Sequence, residues 1–172
     1  MSDERIDSMD RETLLQYART LLRHLRLADA FWFLGVEDRF GHAAACSLNE
    51  EVWARVGRLG ARDILERFGP FQPGPAGFWD AYSLFPWTMM VDYRLEWTGQ
   101  GLTVSCPSCP AQEGRKKHGL GEYDCKGMHA AEMAAFAAVI DPGLRVECLF
   151  APPDPHPEDL YCAFFIHRSE SA

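Results

Sequence analysis

The sequence lacks any apolar run long enough to span a bilayer; its most apolar stretch near the N-terminus, residues 28–36, is far too short. It also lacks a basic N-terminal segment followed by an apolar one, so no secretory signal is predicted and the expected location is the cytoplasm, away from membranes. Positive charge is in deficit: 17 basic against 25 acidic residues leave a formal net charge of −8. Such a surface repels phosphate backbones, which argues against a nucleic-acid partner. There is no acidic tail, internal repeat or low-complexity tract, and no Gly-rich phosphate loop, HExxH or GxSxG.

What is present is globular composition, 47% hydrophobic and 24% charged over 172 residues. That suits one domain, residues 1–172, able to bury a real core without staples. Six cysteines in a reducing compartment read as metal ligands, catalytic thiols or buried small hydrophobes before they read as disulfides.

The part from about 10 to 86 reads helical. Asp10 caps a helix with Leu14, Ala18, Leu21 and Leu25 on one stripe, and Asp29 caps a second carrying Trp32, Val36 and Phe40. A third begins at a capping box of Ser47 and Glu50, with Asn49 as an alternative cap, and stops at Gly69-Pro70. Gly57 and Gly60 cost that helix propensity, so they mark close contact with a neighbour. After a connection of prolines and glycines comes a short aromatic helix around Phe78 and Tyr82.

From about 90 to 168 the part that bears most of the cysteines begins with a period of two. Val91, Tyr93, Leu95 and Trp97 face Leu102, Val104 and Cys106 across Gly99-Gln100-Gly101 in a hairpin with one buried face. Helices over Pro110–His118 and Lys126–Ile140 follow. A last hairpin pairs Leu144, Val146, Cys148 and Phe150 with Ile166, Phe164, Cys162 and Leu160, so Cys148 is expected opposite Cys162. The fold class is α+β: an N-terminal helical layer on a mainly antiparallel sheet of two hairpins, with two helices between them.

Cys106-x-x-Cys109 has the spacing of a metal knuckle. With Cys125 and His129, four apart, it offers a tetrahedral set for zinc or another transition metal, although no second CxxC is present. Cys109 and Cys125 each directly precede a helix, where thiol pKa values fall, so both are candidate thiolates and candidate nucleophiles. Cys148 and Cys162 point inward from their strands, and Cys46 beside an alanine run packs. His129 stands on the apolar stripe of Met133, Phe136 and Ile140, as ligand or as core. Arg115, less than two turns along from Cys109, is expected to hold an anionic ligand group. Cys-Pro-Ser-Cys also has the look of a dithiol redox motif, but no βαβ unit precedes it and Pro110 follows at once.

Trp32-Phe-Leu-Gly-Val-Glu-Asp-Arg-Phe-Gly41, Cys109-Pro-Ala-Gln112, Arg115, Gly119-Leu120, Cys125-Lys126, Cys148, Pro152-Pro153-Asp154 and Cys162 together resemble a family of small uncharacterised bacterial and archaeal cytosolic proteins. That family is similar to L-2-amino-thiazoline-4-carboxylate hydrolases, and the closing hairpin is similar to the end of the vinyl-reductase-type ligand-binding domains. The resemblance implies that Cys109, Cys125, Cys148 and Cys162 form one site, with Gln112 and Arg115 beside it and Cys106 as an extra thiol. Ala163-Phe164-Phe165 departs from the family pattern, which has a tryptophan and an acidic residue there. Three readings follow: a cysteine-lined site for a metal or small ligand; a hydrolase of a small cyclic amide-like or thiazoline substrate, using Cys109, Cys125 or metal-activated water; and a structural domain with inert thiols.

Overall fold

Asp10 opens the first long helix as its position implies, its carboxylate accepting from Thr13 N at 2.7 Å. In the computed structural model, which describes residues 4–169, a single turn α1 (Glu4–Asp7) precedes α2 (Arg11–Phe40) and α3 (His42–Phe68). The helix expected to start at Asp29 is therefore the continuation of α2. Nothing between Leu25 and Phe31 breaks a helix, and Asp29 accepts a hydrogen bond from Trp53 Nε1 at 3.1 Å, tying α2 to α3. The chain turns only at Gly41, whose φ of 85° is open to glycine. Ser47, Asn49 and Glu50 lie inside α3, because the alanines directly after His42 propagate helix from there. Gly69 ends α3 as expected.

The remaining elements are α4 (Pro75–Tyr82), a 3₁₀ turn (Thr88–Met90), β1 (Arg94–Trp97), β2 (Gly101–Cys106), α5 (Pro110–Lys117), α6 (Lys126–Ile140), β3 (Leu144–Phe150) and β4 (Cys162–Arg168). The architecture is α+β, with a four-stranded antiparallel sheet in the order β1-β2-β4-β3. One core joins α3, α4 and α6 to the inner face of the sheet, through Trp53, Phe78, Tyr82, Phe136, Val104 and Phe164 among others. Of α2, only Phe33 is buried. The expected stripe of Leu14, Leu21 and Leu25 is exposed. Among the described residues no helix is long and apolar enough to cross a membrane.

The first hairpin has the expected register, Leu95 opposite Val104 and Trp97 opposite Leu102. Its outer strand is not half-buried, however. Leu95 and Trp97 are exposed, because β1 is the sheet edge beyond the covering helices.

The second hairpin is shifted from the expected register. Cys148 faces Phe164 and Val146 faces Ile166, with a bulge between Cys148 and Phe150, so Cys148 is not opposite Cys162. The shift is two residues. From Leu144 to Cys148 it leaves the side chains on their expected face, which is why alternation could not detect it; past the bulge Phe150 pairs with Ala163 rather than Leu160. The register of β4 is held from its other side: Cys162 pairs with Cys106, Val104 with Phe164 and Leu102 with Ile166.

Candidate functional site

Cys106 ends β2, Cys109 is the N-cap of α5 and Cys125 the N-cap of α6. All three, with Cys162 at the start of β4, line a cavity of about 550 Å³ that α2 walls on one side. Of the four cysteines expected to form the site, Cys109, Cys125 and Cys162 converge here. Cys148 does not: it is half-buried beside Lys126 and Asp154, away from the cavity lining. Cys106, expected to be extra, also lines the cavity; its thiol donates to Ser108 O at 3.4 Å, and it stands opposite Cys162 in the β2–β4 register. Among the described residues no group of three His, Cys, Asp or Glu side chains is arranged to hold a metal ion. The four cysteines Cys109, Cys125, Cys148 and Cys162 do not come together, because the strand register places Cys148 opposite Phe164.

The helix-terminus argument for thiolates at Cys109 and Cys125 does not survive burial. Cys109 is raised well above an ordinary thiol by its hydrogen bond with Cys106 and by desolvation. Cys125 is pushed up to about 12 by desolvation and by Cys109 nearby, against a donated hydrogen bond from Gln112. Neither thiol caps its helix with a side-chain hydrogen bond. Both shifts favour the thiol, because the partial charge of a helix end is small against the cost of burying an anion.

Gln112 is fully buried. Its Nε2 donates to Tyr123 O at 2.9 Å and to Cys125 Sγ at 3.4 Å, while its Oε1 accepts from Tyr123 N at 3.0 Å. The side-chain amide therefore pairs with the Tyr123 backbone as a neighbouring strand would. Arg115 is equally occupied. Its Nη1 and Nη2 donate to the two oxygens of Glu37 at 2.7 and 3.0 Å, and its Nε donates to Gly121 O at 2.8 Å. An anionic ligand would have to displace Glu37, whose carboxyl the Arg115 fork holds at about 2, with help from His42. Glu37 also anchors a second group, with His42 Nδ1 at 2.6 Å and Cys46 Sγ 3.4 Å from His42 Nε2. None of those three lines the large cavity.

Sequence reasoning named His129 and Cys162 but passed over the groups that His129 meets, Tyr82 and Glu132. His129 Nδ1 lies 3.9 Å from Cys162 Sγ. Its Nε2 lies 3.4 Å from the hydroxyl of Tyr82, which donates to Glu132 Oε2 at 2.9 Å. Glu132 is 3% exposed, and its Oε1 has no hydrogen-bond partner. A buried carboxylate oxygen left unpaired costs free energy, so its position against a cavity is informative. A signal for it existed: Glu132 is the one acidic residue of α6, a helix that after Lys126 is apolar apart from it and His129.

Desolvation raises Glu132 to about 7, against the attraction of His129, and desolvation lowers His129 against the attraction of Glu132. A carboxyl raised from 4.5 to about 7 binds its proton more tightly folded than unfolded, so its contribution to stability falls as pH rises between those values and stays lost above them. Glu132→Gln is expected to remove that fall. Relative to wild type, the variant should gain stability on the order of 2–3 kcal/mol between pH 4.5 and pH 7, as read by urea denaturation at the two pH values. A difference that does not change with pH would mean that burial leaves the Glu132 carboxyl unshifted.

No curated protein and no solved structure matches the chain. A protein-family model matches residues 7–167, nearly the whole length, and on that ground the chain belongs to DUF6125, a family of unknown function.

Proposed function

We propose that this protein binds a small, largely apolar molecule that presents an N–H donor to Glu132. The observation that carries this is the unpartnered Oε1 of Glu132 at a cavity of about 550 Å³, within the range of small-molecule sites. The cavity is also lined by Trp53, Trp87, Tyr93 and four cysteines, beside charged groups that include Asp29 and Arg115. An amine or amidine group would complete the carboxylate and relieve the cost of its burial. The ring of an amino-thiazoline, the substrate class to which the sequence motifs point, has such N–H groups on a small, partly apolar body.

Benzamidine, an aromatic ring bearing an amidinium, is the probe. It should quench or shift the fluorescence of Trp53 and Trp87, and Glu132→Gln should weaken its binding about tenfold or more, as expected for one charge-assisted hydrogen bond. Equal affinity for wild type and Glu132→Gln, or binding that leaves both tryptophans unaffected, would remove this reading.

A further inference from the structure

The floor of the cavity contains a nucleophile, a base and a carboxylate in line. Cys162 Sγ stands 3.9 Å from His129 Nδ1, and on the other side of the ring Nε2 stands 3.4 Å from Tyr82 Oη and 3.9 Å from Glu132 Oε2. The proton of Tyr82 is committed to Glu132 Oε2 at 2.9 Å. Tyr82 therefore faces His129 with a lone pair and accepts from Nε2–H. That assigns the tautomer: Nδ1 carries no proton and is the acceptor turned toward the Cys162 thiol. These side chains come from α4, α6 and β4, each held in the main core, so the alignment rests on packed elements rather than on loops.

We infer that Cys162 is a nucleophile for acyl transfer from a small ester or amide bound in this cavity, with His129 as its general base and Tyr82 and Glu132 as positioning residues. The inference rests on the binding reading given under Proposed function. It moves the nucleophile away from Cys109 and Cys125, which have no histidine partner among the described hydrogen bonds. In the first half-reaction the Cys162 sulfur forms a bond to the carbonyl carbon while its proton passes to His129 Nδ1. The tetrahedral oxyanion collapses, the bond from carbon to the alcohol oxygen or amine nitrogen breaks, and the leaving group takes the proton from Nδ1. In the second, water gives a proton to Nδ1 and attacks the thioester carbon; the carbon–sulfur bond breaks, the carboxylic acid departs, and the sulfur recovers the proton. Tyr93 also lines the cavity, and its pKa is raised well above that of an ordinary tyrosine, so its hydroxyl is available as a donor to the oxyanion. A sulfur-to-nitrogen distance of 3.9 Å is long for proton transfer, as it often is before substrate binds.

The test uses the full chain and p-nitrophenyl acetate. The expected result is a burst of p-nitrophenolate followed by slow turnover, with one acetyl group mapped by peptide mass spectrometry to Cys162. Cys162→Ala should abolish the burst, and Cys46→Ala, outside the cavity, should leave it unchanged. His129→Ala should slow acylation on the order of 100-fold, with part of the rate restored by added imidazole, which a purely structural histidine would not allow. If circular dichroism shows His129→Ala to be unfolded, His129→Gln serves in its place. Acetylation of another thiol at the same rate, or an undiminished rate in the folded histidine variant, overturns the inference. So does an unreactive wild-type chain, and if Cys162→Ala still binds benzamidine through Glu132, the binding reading survives that failure.

Discussion

Replacing Gln112 by Ala is expected to lower the free energy of unfolding by about 3–5 kcal/mol, measured by urea denaturation. The amide is fully buried and answers both the N–H and the C=O of Tyr123. Truncation leaves two backbone groups in the interior without partners, each worth roughly 1–3 kcal/mol, and opens a cavity the size of an acetamide group. Gln112→Glu separates the two causes. It keeps the volume and the acceptor for Tyr123 N but replaces the donor to Tyr123 O by a buried negative charge. It should be at least as damaging as Ala at pH 7 and should recover in part on acidification, when the protonated carboxyl can donate again. A loss below about 1 kcal/mol in the Ala variant would mean that water takes over both backbone groups.

Gly57→Val is the second large effect. A Cβ at this position in α3 would stand 2.7 Å from the carbonyl oxygen of Glu132 and 3.2 Å from its Cγ. The oxygen belongs to the backbone of α6 and cannot rotate away, so the two helices must separate. Even a methyl group gains only about 1 kcal/mol of helix propensity over glycine. The branched side chain overpacks the contact at a cost of about 3 kcal/mol or more. Because the displaced residue is Glu132, benzamidine binding should weaken along with stability, whereas Gly60→Ala, which meets the Phe85 ring at 2.6 Å, should cost stability and leave Glu132 in place. Gly57→Val with wild-type stability would mean that α3 and α6 are free to slide apart.

These two sites show where the sequence was readable. The glycines on α3 stood out because they spend propensity in an otherwise helical run, and close packing was the physical reason available; both meet a neighbour. Helix α6 was bounded correctly at both ends, since Cys125 and Asp141-Pro142 bracket an apolar run. The break between α2 and α3 was misplaced because Asp29 and Ser47 both look like caps locally. A cap acts only where the chain leaves the helix, and only Gly41 does so. The site was half legible. Spacing pointed to Cys106, Cys109, Cys125 and His129, and the resemblance added Cys162; all five line the cavity, but which thiols meet depends on strand register, and a two-residue shift changes partners without changing faces. Tyr82 and Glu132 are 50 residues apart in sequence; no local pattern joins them.

Helix α2 has a further consequence, in time rather than in space. From Arg11 to Leu27 only Leu22 is even half-buried, so those turns are held by their own hydrogen bonds and by the Asp10 cap. Further along, Asp29, Phe33 and Glu37 fasten the same helix to α3 and α5. A helical stretch without tertiary contacts opens and closes on the microsecond scale of an isolated peptide, whereas a packed one opens only with its surroundings. One unbroken helix therefore carries two clocks. Its amide protons should exchange with solvent rapidly up to about Leu27 and slowly beyond it, and the boundary between fast and slow falls where Arg26 and Leu27 reach the cavity.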